Sequence, residues 1–313
     1  MSTTTSATTL AIDGGAPALP DGVTPRRLFD QREKEAVLDL LDRAIDETSN
    51  LLAYGGEQEQ AYCEAFCAML GGGFADGVNS GTNAVHVALA ALEPEPGSEV
   101  VVPPVTDPGG VMSVALLGCT PVVADSAPGY YNIGAEQIEA VLTERTAAII
   151  VAHIGGIACD MDPILELAQR HDIPVLEDCA QAHLTRYRGR AAGTLGAISA
   201  FSTMFGKQHA SAGQGGLVYT RDETLYWKAR RYADRGKPLG LTGQAQNVVA
   251  SLNFNMDELH AAVGRVNLAK LPAHIARRQQ IAAALAEHCR AELDAVRVVE
   301  AAADDEGSYW FLT

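Results

Sequence analysis

Ala147-Ala-Ile-Ile-Val151, Pro163-Ile-Leu-Glu-Leu-Ala-Gln-Arg-His171 and Val175-Leu-Glu-Asp-Cys-Ala-Gln-Ala-His183 follow one another along the chain. The first is a short β-branched run, the second places apolar residues at helical spacing, and the third opens on another apolar run. Strand, helix and strand in succession return the chain to the same end of a sheet, which makes the two strands parallel. The alternation extends outward on both sides. Residues 99–102 and 121–124 read as strands, with helices near 111–117 and over 135–142, and 197–202 and 216–220 add two more strands. Such repetition builds a mostly parallel sheet covered by helices on both faces, an α/β fold.

Ahead of this region, apolar spacing predicts helices over 33–45, 57–70 and 82–92. Residues 10–25 are rich in Gly and Pro and read as an extended arm. A long helical pattern runs from 256 to about 291, interrupted at Pro272, and 309–312 look like a strand just starting. The expected organisation is an N-terminal arm over 1–25, a large domain over 26–265, and over 266–313 the beginning of a small C-terminal α+β domain that stops short.

With 313 residues, the chain has ample material for a core. Its formal charge of −16 argues against a sequence-independent grip on nucleic acid, which relies on basic surface. No stretch reaches the roughly 20 apolar residues that span a bilayer, and Met1–Thr9 lack a positive leader region, so a cytoplasmic address and no membrane partner are expected. The six cysteines are scattered without the paired spacing of a zinc site; they read as reduced, mostly buried thiols, and no metal is expected.

Two segments carry chemistry. Lys207 stands in Phe201-Ser-Thr-Met-Phe-Gly-Lys-Gln-His-Ala-Ser-Ala-Gly-Gln-Gly-Gly216, between an apolar run and a glycine-rich turn. Asp178 ends the 175–176 run, where a parallel strand delivers side chains to a cleft. A lysine can hold pyridoxal 5'-phosphate as a Schiff base, and a buried aspartate can keep the pyridine nitrogen protonated so that the ring accepts electrons. Ser80, Gly81 and Thr82 open a helical pattern, and their amides would form a positive end suited to phosphate, or serve only as an N-cap. No G-x-G-x-x-G fingerprint lies between a strand and a helix, which removes a dinucleotide-binding dehydrogenase.

Asn79-Ser-Gly-Thr-Asn-Ala-Val-His-Val-Ala88, Ala152-His-Ile-Gly-Gly156, Glu177-Asp-Cys-Ala-Gln-Ala-His183 and the segment from Ser202 through Lys207 to Gly216 together resemble the sugar aminotransferases of DegT/StrS type, a branch of the fold-type I pyridoxal phosphate enzymes. The resemblance implies a seven-stranded sheet and a homodimer with shared active sites. It makes Lys207 the cofactor lysine and proton carrier, puts Asp178 on the ring nitrogen and Gln181 near the phenolic oxygen, and gives Ser202 a phosphate contact. Asn253 would reach the phosphate from the other subunit, and His183 would face the cofactor or substrate or be satisfied by backbone groups.

Three positions depart from the resembled pattern. Asp107 stands where an aromatic residue stacks on the cofactor ring, Asn255 replaces an arginine, and Gly155 replaces a tyrosine. Loss of a guanidinium at Asn255 favours an uncharged cyclitol or small keto-sugar over a nucleotide-linked one. The expected activity is amino transfer from glutamate or glutamine to a keto-sugar or keto-cyclitol, in specialised-metabolite or antibiotic biosynthesis. A related branch dehydrates sugars and carries histidine in place of the lysine; His209 keeps that lyase reading open, and a non-catalytic partner subunit is a third reading.

Overall fold

The structure, a computed structural model, describes residues 9–17, 19–22, 26–46 and 51–312. Helices α1 (Gln31–Asp46) and α2 (Glu57–Met69) lead into strand β1 (Phe74–Val78) and helix α3 (Gly81–Ala91). Then β2 (Glu99–Val102), α4 (Pro108–Leu116), β3 (Thr120–Val123), α5 (Ala135–Glu139), β4 (Thr146–Ala152), α6 (Met161–Arg170) and β5 (Val175–Asp178) alternate. A small hairpin, β6 (Arg186–Tyr187) and β7 (Arg190–Ala191), precedes β8 (Ile198–Ser202) and β9 (Gly216–Thr220). Helices α7 (Glu223–Ala233), α8 (Glu258–Leu268) and α9 (Leu271–Glu292) follow.

Seven strands form one sheet in the order β1-β9-β8-β5-β4-β2-β3. Strand β9 is antiparallel to both its neighbours, while β8, β5, β4, β2 and β3 pair in parallel. The central strands β2, β4, β5 and β8 are buried along most of their length because helices cover both faces, while the edge strand β3 is partly exposed. Val100, Val102, Ala148 and Ile150 meet α3, α4 and α7 on one face; Val101, Ile149 and Val151 meet α5 and α6 on the other. Beside them, α2 and α8 close the same second face over Phe66, Phe201, Leu217 and Tyr219. The alternation within single strands decides which residues each layer receives.

Strand β1 and helix α7 are additions to the elements that the sequence pattern predicts. Phe74-Ala-Asp-Gly-Val78 carries Asp76 and Gly77, which break an apolar strand pattern, yet Asp76 is buried against Arg230 at 3.0 Å. A Cβ on Gly77 would stand 3.2 Å from Glu59 and Met256, so the strand is glycine there because α2 and the loop before α8 approach closely. Helix α5 ends at Glu139 rather than 142, since Val141 and Leu142 turn on i to i−3 bonds to Ile138 and Glu139. In the arm, Ala11–Asp13 form a 3₁₀ turn closed by Gly14 at φ 93°; Ala18 and residues 23–25 of that arm lie outside the described residues.

Residues 309–312 are not a strand. Ser308 and Trp310 donate backbone hydrogen bonds to Gly156 and Gly155, and Tyr309 takes φ 45°, so the segment follows a tight turn instead of a strand edge. The cysteines are free thiols, five buried and Cys289 half-buried. Among the described residues, no helix is long and apolar enough to cross a membrane.

Candidate active site

The loops that leave the carboxyl ends of β1, β2, β5 and β8 converge on one cleft of about 210 Å³. Ser80, Gly81, Thr82, Asp107, Asp178, Ser202 and Lys207 all line it. Open α/β sheets bind ligands at this end of the strands.

Ser80 is the N-cap of α3, its Oγ accepting the Asn83 amide at 3.1 Å. A Cβ on Gly81 would fall 2.5 Å from Ser202 Cβ, so only glycine lets the helix start beside β8. Gly109 is confined in the same way, with a Cβ there falling 2.5 Å from Thr82 Oγ1. Asp107 caps α4, accepting the Gly109 amide at 3.0 Å with Pro108 in the first turn. A carboxylate fits there because the N-terminal end of a helix is positive.

Asp178 and Glu177 are divided by the pleat of β5. Glu177 points away from the cleft and accepts the amides of Gly193, Leu195 and Gly196 at 2.6–2.7 Å, fixing that turn, together with His153 Nε2 at 3.1 Å. His153 Nδ1 accepts the Cys159 amide, which leaves the proton on Nε2, facing Glu177. Cys179 completes a buried group whose possible metal-binding atoms lie within 4.8 Å of one another, but burial pushes its thiol pKa up to about 12 and Glu177 is already saturated. Asp178 accepts the Ala180 amide at 2.9 Å; burial raises its carboxyl pKa, opposed by that hydrogen bond and by the charge of Lys207.

Lys207 is buried, and the indole of Trp310 lies 3.7 Å from its Nζ. Burial lowers its pKa below the ordinary lysine range, and the carboxylates of Asp178 and Asp107 act in the opposite direction. Trp310 Nε1 donates to the Gly206 carbonyl at 2.8 Å, and Arg26 donates to the carbonyls of Gly206 and Lys207. Trp310 is a site neighbour that the sequence pattern does not indicate, because its segment comes from far along the chain.

Three residues singled out from the sequence lie elsewhere. Gln181 accepts the Gly155 amide at 2.7 Å through Oε1, at the turn after β4. His183 is buried behind Lys207, its ring 5.5 Å from Phe201 and 5.8 Å from His209, with neither nitrogen hydrogen-bonded. Desolvation, with His209 and then the charge of Lys207 adding to it and Gln208 opposing, holds its pKa well below the usual histidine range. Asn253 is exposed on the loop before α8, its Oδ1 accepting from Asn255 Nδ2 at 2.6 Å.

The sheet with its crossover helices is that of the pyridoxal phosphate aminotransferases, as its structural neighbours show. The model of the DegT/DnrJ/EryC1/StrS aminotransferase family matches residues 31–313, and the chain belongs to that family. Pyridoxal phosphate is the family's cofactor. GDP-perosamine synthase of Caulobacter vibrioides is 36% identical over 253 residues, 81% of this chain and 66% of the relative. The enzyme of the same name from Escherichia coli O157:H7 is 35% identical over 251 residues, 80% of this chain and 66% of the relative. This chain thus aligns with just under two thirds of each curated relative. The crystal structure of an aminotransferase from Psychrobacter cryohalolentis superposes with a TM-score of 0.83 at 32% identity, covering 92% of this chain and 76% of that one.

Proposed function

We propose that the chain carries out amino transfer from glutamate or glutamine to a keto-sugar or keto-cyclitol, with pyridoxal 5'-phosphate held in the cleft at Lys207. The observation that carries this reading is the shared cleft: Lys207, a buried Asp178 and the N-terminus of α3 face one space. The cleft fits the cofactor, since Gly81 and Gly109 keep open a cradle that a Cβ at either position would fill. When bound, the cofactor supplies an electron-accepting ring that stabilises negative charge beside the amino carbon. Asp178 would keep a proton on the ring nitrogen, and Ser80, Thr82 and Ser202 would hold the phosphate with the helix amides. Lys207, with its lowered pKa, would carry a proton to and from the amino carbon.

Membership of an aminotransferase family and two relatives named GDP-perosamine synthase support amination of a sugar. The lyase alternative would call for a histidine in the cleft. His209 Nε2 instead takes the Tyr62 hydroxyl at 2.5 Å and Nδ1 faces Asn267 Oδ1 at 3.1 Å, which supports the lysine-based reading. An antibiotic or other specialised product, a cytoplasmic address, and the division into a large domain over 26–265 and a small one from 266 are part of the same proposal.

Borohydride reduction of the cofactor-loaded protein followed by peptide mapping tests it. The pyridoxyl mass is expected on Lys207, and a label on another lysine would sink the assignment.

A further inference from the structure

Beyond Trp310 lies a second cavity, of about 500 Å³, whose charge is out of keeping with the rest of the molecule. In a chain of net charge −16, Arg26, Arg27, His274, Arg277 and Arg278 line one space together with Trp310. Positions 274, 277, 278 and 281 share one face of α9, by helical periodicity, and the arm ahead of α1 brings Arg26 and Arg27 against it.

Among the described residues, none of the four arginines forms an ion pair with a carboxylate. Arg278 donates to the carbonyls of Tyr309 and Trp310, both at 3.0 Å, and Arg277 only to Gln280 at 3.4 Å. Glu33 and Asp30, the carboxylates that reach this side, pair with Lys270 and Arg32. The cations therefore act on one another, and at His274 the charge of Glu33 opposes them in part. Desolvation, then the charge of Arg278, lowers the pKa of Arg26; desolvation, then Lys270, Arg26 and Arg278, lowers that of His274.

Surface arginines normally find carboxylates or spread into water, and convergent unpaired guanidinium groups recur where planar oxyanions are bound. We infer that this cavity binds a multivalent oxyanion, a phosphate or carboxylate carried by a substrate of the Lys207 site. The two spaces meet at one pair of residues. Trp310 lines the basic cavity and lays its ring on Lys207 Nζ, while Arg26 holds the carbonyls of Gly206 and Lys207. An anion seated on Arg277 and Arg278 places the rest of its molecule against the indole, one ring away from the reacting amine. The arginine absent at Asn255 thus does not leave the chain without a cationic anchor. The substrate clause rests on the proposed function; the anion site does not.

Titration calorimetry with inorganic pyrophosphate on the full chain tests the site alone. One saturable site is expected, about tenfold or more weaker in Arg277→Gln and Arg278→Gln, since a charged hydrogen bond is lost in each. The lysine variants should recover part of the affinity. Absence of saturable heat, or equal affinity in the variants, overturns the site even if Lys207 carries the cofactor.

Single-turnover absorbance then distinguishes the two sources in the Arg277→Gln/Arg278→Gln protein. Slowing only with glutamate makes the anion a donor carboxylate, and slowing only with a phosphate-bearing keto-sugar makes it an acceptor phosphate. Unchanged rates with both, after pyrophosphate binding has been lost, overturn the substrate clause. A failed Lys207 label with intact pyrophosphate binding overturns the proposed function and leaves the site standing.

Discussion

A methyl group on Gly109 would stand 2.5 Å from Thr82 Oγ1, and one on Gly81 would stand 2.5 Å from Ser202 Cβ. Neither glycine takes a positive φ, so the need for glycine is space rather than backbone conformation. Gly109→Ala is expected to push Thr82 away from the cleft and weaken cofactor retention about tenfold or more, with a smaller effect on folding, because the clash falls on one lining side chain. Equilibrium dialysis against pyridoxal phosphate reads this, and unchanged affinity would refute it. Asp178→Asn tests the other wall. Its buried carboxylate is matched by the Ala180 amide and the charge of Lys207, and an amide can supply neither the charge nor the attraction to a ring proton. Some cofactor should remain while turnover falls about a hundredfold or more, an electrostatic loss on the scale of a preorganised site. Near-normal turnover would mean that the wrong carboxylate has been named.

At the scale of elements, periodicity reveals what is regular and misses what is compensated. Strands β2, β4 and β8 are legible because they are buried on both faces and mostly apolar. Strand β1 is not, since its charged Asp76 is offset by Arg230 of α7, an element 150 residues away in the sequence, and that partnership has no local signature. The cleft follows the same division. Motifs at the ends of β1, β5 and β8 mark Ser80, Asp178, Ser202 and Lys207, whereas Trp310 and the arginines beside it meet the site only through tertiary folding.

The packing of β1, α2 and α7 has a measurable consequence. Burial, then the charge of Asp76, raises Glu59 to about 7, and burial raises Asp76 to about 6. Both carboxyls bind protons more tightly folded than unfolded, so the stability this pair contributes is fully present below the ordinary carboxylate range and is lost as pH rises through about 6 to 7. Glu59→Gln keeps an acceptor for the Gly55 amide, now at 2.6 Å from Oε2, and removes one charge. It should stabilise the fold at pH 8 by on the order of 2 kcal/mol, read as a higher melting temperature, and flatten this pair's decline between pH 5 and 8. A variant as pH-dependent as the parent would show that the pair carries no such penalty.

Over the whole molecule, the loop with Asn253 bears on assembly, since Asn253 does not line the cleft at Lys207. Asn253 is exposed, hydrogen-bonded among the described residues to its near neighbour Asn255, and follows Leu252, 69% of whose surface is open; Val248 and Leu241, earlier in the same loop, are 39% and 43% open. An apolar loop left open beside a polar side chain of this kind suits a contact with a second copy. The reading in which Asn253 completes the partner's phosphate site makes a quantitative prediction. In a dimer of one Lys207→Ala and one Asn253→Ala subunit, one site lacks both residues and the other lacks neither. Equal mixing makes half the dimers hybrid, so about one quarter of the wild-type activity should return from two impaired parents. Light scattering should give twice the chain mass throughout. Mixing without recovery, or a fully active monomer, would leave each chain with a self-contained site and Asn253 with no part in it.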